Sequence, residues 1–258
     1  MKKLCMILPL ALILCFMVGC QDKAAMAELE EIKAQAEVSA QSAITSQLQA
    51  SLDEWRESFE IPGAVLAVDT PDLETLILVS GVSDLDAETS LSPQDRFRIG
   101  SITKTFVAAV VLQLAQEGLL KLDNSLNAYV PDFPDAENIT IRHLLSHRSG
   151  IFDFEFIPGL VEKALQDPTK VWTWQEIIAA VVAQEPYFAP GTGYKYSSTN
   201  FTLLGVIVEA VTGTSLDYEM RRRLFEPLGL TNTFLAGSER DASRWHELRH
   251  CEAPQYGI

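Results

Sequence analysis

The stretch from Ser101 to Gln116 does most to limit what this chain can become. It holds Phe106, Val107, Val110, Val111 and Leu114, contains no Gly or Pro, and leads to Gly118 as a helix C-cap. Apolar residues fall on nearly every face of the helix this predicts. Such a helix is expected inside the molecule, with the rest of the chain packed around it.

The neighbouring sequence supplies partners for it. Leu52, Trp55 and Phe59 mark the apolar face of a helix ended by Pro62-Gly63. Two β-branched or apolar runs, 64–68 and 75–79, flank the turn residues Asp69-Thr70-Pro71-Asp72 and predict a hairpin. Residues 84–95 are polar and turn-rich and read as a loop. Further helices are predicted near 141–146, 174–184, 200–212 and 216–225. Two strands followed by many helices predict an α/β (α+β) domain with a large helical part. With 47% hydrophobic and 21% charged residues, 258 residues suffice for a substantial core.

The N-terminus has its own logic. Lys2 and Lys3 precede an apolar run over 4–18, the length of a signal-peptide core rather than of a spanning helix. The run ends in Met17-Val18-Gly19-Cys20, which resembles a bacterial lipobox with Met17 where leucine is most usual. That resemblance implies cleavage before Cys20, lipid on its thiol, and a signal peptide over 1–20. Cys5 and Cys15 leave with that segment and Cys20 is consumed by lipid. Cys251 alone remains, so the mature chain is expected to fold without an intramolecular disulfide. Residues 21–47, rich in Ala, Glu, Gln and Lys, read as a partly helical tether with a thin apolar stripe.

The formal charge of −15 argues against nucleic acid, whose phosphates need a basic footprint. It also argues against electrostatic docking on anionic lipid, which leaves the lipid anchor as the expected membrane link.

In Gly100-Ser101-Ile102-Thr103-Lys104, serine and lysine stand three residues apart at a helix start, on one face. The first-turn N–H groups are free and the macrodipole is positive there, which favours an oxyanion formed on a substrate attacked by Ser101. An ordinary lysine is a poor base at neutral pH; burial among the apolar residues of this helix is expected to lower its pKa and let it activate the serine. Spacing alone leaves a second reading open, with Ser101 or Thr103 as an N-cap and Lys104 on the surface.

The flanking sequence goes further. Phe97-Arg98-Ile99-Gly100-Ser101-Ile102-Thr103-Lys104-Thr105-Phe106 resembles the nucleophile segment of the serine β-lactamase family, nearest the class C enzymes, D-alanyl-D-alanine carboxypeptidases and related esterases. The resemblance continues through Leu119-Leu120-Lys121-Leu122-Asp123, Ile141-Arg142-His143-Leu144-Leu145-Ser146-His147-Arg148-Ser149-Gly150, Pro190-Gly191-Thr192 and Tyr196-Ser197-Ser198-Thr199-Asn200-Phe201. It ends near Pro227-Leu228-Gly229-Leu230, so a hydrolase domain over 48–236 is expected. It implies an antiparallel sheet flanked by helices plus a helical subdomain, and a cell-envelope hydrolase that forms an acyl-enzyme on a cell-wall peptide, β-lactam or ester. It gives Ser101 the role of nucleophile, Lys104 that of base and Tyr196 that of proton relay, with no cofactor. The family pattern Tyr-x-Asn has Ser198 at its third, substrate-binding position. A hydroxyl makes fewer hydrogen bonds than an amide, which shifts the expectation towards esters. His143 and His147 would share one helical face, a spacing open to metal, but are read as structural.

The family's downstream Lys-Thr-Gly or His-x-Gly triad has no counterpart here, and residues 237–258 read as an atypical tail. The expectation is a domain lacking its C-terminal strands, hence an alternative reading as an inactive homologue that only binds peptidoglycan-like ligands. Losing one oxyanion donor costs ~10²–10³ in rate. The tail also contains His246-Glu247-Leu248-Arg249-His250, the zinc-protease pattern, with little chain after it for a third ligand. That makes a zinc metalloprotease through His246 and His250 a remote third reading.

Overall fold

A computed structural model describes residues 8–71, 73–167, 170 and 172–235. The tail with His246, Glu247 and His250 lies outside them. The chain divides between Asp95 and Arg96 into two compact units, inside the span expected as one domain.

The first unit starts with α1 (Leu8–Ser58), one continuous helix that runs through the expected tether and past its boundary at residue 47. Its stripe of Met26, Leu29, Ile32 and Ile44 stays exposed. Near its end the helix meets the sheet: Leu48 and Leu52 pack with Ala64, Leu66, Leu76 and Leu78. The expected face was Leu52, Trp55 and Phe59. Trp55 and Phe59 are instead about half exposed and touch each other, because the contact lies one turn earlier, at Leu48. The hairpin forms as expected. Strands β1 (Gly63–Thr70) and β2 (Leu73–Asp84) pair antiparallel, with Val65 opposite Val79 and Ala67 opposite Ile77. The two-residue β3 (Thr89–Ser90) adds to β2 within the predicted loop, completing a three-stranded sheet in the order β1-β2-β3. Polar ties join helix and sheet: Arg56 Nε donates to Ser80 Oγ at 2.7 Å, and Ser80 Oγ donates to Asp53 at 2.6 Å.

The second unit is helical. It comprises α2 (Thr103–Gln116), α3 (Ile141–Leu145), α4 (Leu160–Gln166), α5 (Trp174–Val181), α6 (Thr199–Thr212) and α7 (Leu216–Met220), the last continued by a π turn over Arg221–Phe225. The helix expected at the centre is not the most buried one. Val107, Val110, Val111 and Leu114 of α2 face the core, but Thr105, Leu112 and Gln116 are exposed, with Leu112 50% accessible. The central position belongs to α6, where Leu203, Leu204, Ile207 and Val208 are fully buried against α2, α3 and α5. Alanines dilute the α2 pattern, whereas α6 carries large aliphatic residues on adjoining positions. The helix ends as expected: Gly118 takes φ +75° and Leu119 N–H donates to Leu114 C=O across the last turn. Among the described residues no single helix is long and apolar enough to cross a membrane.

Candidate active site

Gly100, at φ +48°, turns the chain into a 3₁₀ turn over Gly100–Ile102, and α2 follows at Thr103. Ser101 thus sits on the 3₁₀ turn rather than in the first α-helical turn. Residues three apart eclipse each other in 3₁₀ geometry, so the spacing still works. Lys104 Nζ donates to Ser101 Oγ at 3.0 Å, and Ser101 is exposed.

The third member comes from far along the chain. Tyr196 lies in the segment entering α6, and its hydroxyl donates to Ser101 Oγ at 2.6 Å. Lys104 Nζ is 4.9 Å from the centre of the Tyr196 ring. Burial of Tyr196 pushes its phenol pKa up, but hydrogen bonds from Lys104 and Ser101 and the Lys104 charge outweigh it and hold the phenol below its ordinary value. One exposed hydroxyl therefore faces an amine and an acidified phenol together.

Ser198 is buried, the residue before α6, and its hydroxyl donates to Glu155 Oε1 at 2.6 Å. Its one donor is spent on that carboxylate, and the oxygen keeps its acceptor lone pairs. Glu155 sits on a 3₁₀ turn over Phe154–Phe156, whose N-cap Asp153 accepts from the Glu155 N–H. Asp153 is only 1% exposed, and burial raises its carboxyl pKa against the hydrogen bonds it receives. Ser101, Lys104, Glu155, Ser198 and Phe201 line one cleft of about 350 Å³. Glu155 was not singled out from the sequence; a carboxylate among three aromatic residues in Phe152-Asp153-Phe154-Glu155-Phe156 was the available signal. Asn200 does not replace the missing family asparagine: it is fully buried, and its Oδ1 accepts from Ser149 Oγ at 2.6 Å.

The two histidines do not share a helical face. Helix α3 ends at Leu145, with Ser146 as its C-cap, and His147 has left the helix with φ +55°. His143 completes a capping box, its Nδ1 accepting from the Thr140 N–H. His147 instead stacks on Tyr196, ring centres 4.5 Å apart. Among the described residues no cluster of three metal-ligand side chains occurs. Gly150 closes this loop: at φ +78°, a Cβ there would collide with the Phe188 carbonyl.

The fold that carries these residues recurs in solved structures. The D-amino acid amidase of Ochrobactrum anthropi SV3, complexed with L-phenylalanine, superposes with a TM-score of 0.67 at 32% identity, over 74% of this chain and 51% of that one. The mixed α/β architecture, an antiparallel sheet with helices, is that of β-lactamase and transpeptidase-fold proteins. The family model described as Beta-lactamase matches residues 46–257, and the chain belongs to that family. Penicillin-binding protein 4 of Amycolatopsis lactamdurans is 37% identical over 188 residues, 70% of this chain and 47% of that protein. Penicillin-binding protein 4* of Bacillus subtilis (strain 168) is 30% identical over 191 residues, 72% of this chain and 40% of that protein. The chain spans about half or less of the length of the relatives it matches.

Proposed function

We propose that the chain is a serine hydrolase of the cell envelope working through an acyl-enzyme at Ser101. One observation carries the reading: Ser101 Oγ lies 3.0 Å from Lys104 Nζ and 2.6 Å from Tyr196 Oη. With one of these partners deprotonated, the Ser101 proton passes to it as Oγ attacks a substrate carbonyl. The same group then returns the proton to the leaving group as the carbonyl–leaving-group bond breaks. Water attacks the resulting ester by the reverse route, giving a carboxylic acid and free Ser101. The positive end of the α2 dipole, just behind Ser101, favours the transient oxyanion.

The substrate classes are a cell-wall peptide, a β-lactam or an ester. Likeness to a D-amino acid amidase adds amino acid amides, and the Glu155 carboxylate in the cleft is a fitting partner for a substrate ammonium group. Ser198, engaged with Glu155, offers a substrate amide less than an asparagine would, which favours esters. Lipid on Cys20 would hold the enzyme at the membrane; the lipobox-like sequence supports this, and a Cys20→Ala chain should then leave the membrane fraction.

The test is covalent labelling with a fluorescent penicillin, an activated ester and an amino acid amide. The ester is expected to label the wild type at Ser101 and to leave Ser101→Ala unlabelled. Labelling that survives the substitution, or probe binding with no adduct, sinks the proposal.

A further inference from the structure

His147 is tied to Tyr196 by backbone, ring edge and ring face together. Its carbonyl accepts from the Lys195 N–H at 3.0 Å, which holds residues 147 and 195 side by side. Its Nδ1 accepts from the Ser197 N–H at 3.2 Å and lies 3.3 Å from Asn200 Nδ2. The amide of Asn200 is oriented by Ser149, whose hydroxyl donates to Oδ1 while accepting from the Ile151 N–H. Two donors therefore converge on one ring nitrogen. Only the neutral Nε2–H tautomer presents a lone pair to them. The ring face stacks on Tyr196 at 4.5 Å and lies 5.3 Å from the Phe201 ring.

We infer that His147 is a positioning residue, whose neutral imidazole holds Tyr196 against Ser101 and whose protonation sets an acidic limit to acylation. The inference rests on the proposed roles of Ser101, Lys104 and Tyr196. A proton on Nδ1 would confront both donors with a third and leave the N–H of Ser197, itself 1% exposed, without an acceptor. The imidazolium would also be stacked on the ring that Lys104 already approaches. The titratable and charged groups around the imidazole are few. Lys104 comes from α2, Tyr194, Lys195 and Tyr196 from the segment before α6, His143 from α3, and Arg148 from the same loop; Arg148 is occupied with the Gly191 carbonyl. From α6 it meets the neutral Asn200 and Phe201. No carboxylate among the described residues pairs with it. Burial and the Lys104 charge hold the imidazole below its ordinary pKa, which keeps it neutral at neutral pH.

The test uses the full chain. Ester acylation is followed from pH 4.5 to 9, and ring-carbon NMR follows Tyr196, assigned with Tyr196→Phe, alongside the His147 ring. In the wild type the Tyr196 resonance and the acylation rate are expected to change through the pH at which His147 titrates. Asparagine tolerates a positive φ and keeps an acceptor that cannot titrate. His147→Asn should therefore lose both inflections while kcat at neutral pH stays within ~10-fold. His147→Ala should lose ~10²-fold in kcat at every pH with KM little changed. A wild-type Tyr196 resonance indifferent to His147 titration, or an acidic inflection retained in His147→Asn, overturns the inference. If Tyr196 tracks His147 but Ser101 is never acylated, the functional proposal fails and the positioning role stands.

Discussion

Lys104 and Arg223 are both cations of the helical unit, and they are held in opposite ways. Arg223 sits in the π turn after α7 with its guanidinium almost wholly engaged: Nε donates to Glu219, and the two terminal nitrogens donate to Glu117 at the end of α2. Glu219, 2% exposed, also accepts from Arg222 and from Thr214 Oγ1. Lys104 has no carboxylate within ion-pair distance among the described residues; its neighbours are the hydroxyls of Ser101 and Tyr196 and two aromatic rings. A cation surrounded by carboxylates serves as a strut, because losing its proton would strand buried negative charge. One surrounded by hydroxyls can exchange its proton with them, which is what a base requires.

The contrast can be broken by substitution. Ser101→Ala should lower ester acylation by on the order of 10⁶-fold with no loss of stability, read by adduct mass and thermal melting. Lys104→Met should cost ~10²–10⁴-fold in acylation and leave the melting temperature unchanged or higher, since it removes a cation with no carboxylate partner. A large drop in stability would make Lys104 a strut too. Arg223→Met should do the reverse. Denaturant unfolding should lose about 3 kcal/mol, because Glu219 stays buried with only part of its network, while the folded fraction keeps its acylation rate.

The smallest effect belongs to Asp153. Its carboxyl is raised by burial, so its contribution to stability is present below the ordinary carboxylate pKa, about 3.9. That contribution is lost as pH rises through the folded-state value. Asp153→Asn keeps an acceptor for the Glu155 N–H and removes the buried charge. Its unfolding free energy should fall less than the wild type's between pH 4 and 7; a parallel pair of curves would show that Asp153 does not titrate in this window.

Apart from the blocks that carry the family resemblance, Tyr196 among them, what could be read before folding was whatever lies close along the chain. Ser101 and Lys104 are three residues apart, and one turn of either helix type brings them together, so the pair survived even though Ser101 proved to be on a 3₁₀ turn. The hairpin was legible from its turn residues, and the Gly118 cap from the end of the apolar run. The same local logic misled at His143 and His147. It assumed that the helix continued, whereas α3 stops at Leu145 and His147 turns into left-handed backbone. It also overstated the burial of α2, because periodicity reports which residues are apolar and not which helix has neighbours on all sides.

The sequence by itself thus determined the hairpin and every helix of the second unit except α4, the Ser101–Lys104 pair and, through its successive motifs, the family. The resemblance also named Tyr196 and Ser198, but tertiary structure alone decided the contacts they make. Tyr196 reaches Ser101 across 95 positions, His147 leaves α3 to lie against Tyr196, and the Ser198 hydroxyl, within the cleft lining, donates to Glu155. The physical reason is one of range. Backbone hydrogen bonds and side-chain spacing act within a turn or two, so sequence carries them. The company a polar side chain keeps is set by how buried helices pack, and only the packed core of α2, α3 and α6 brings those distant hydroxyls, rings and charges to one place.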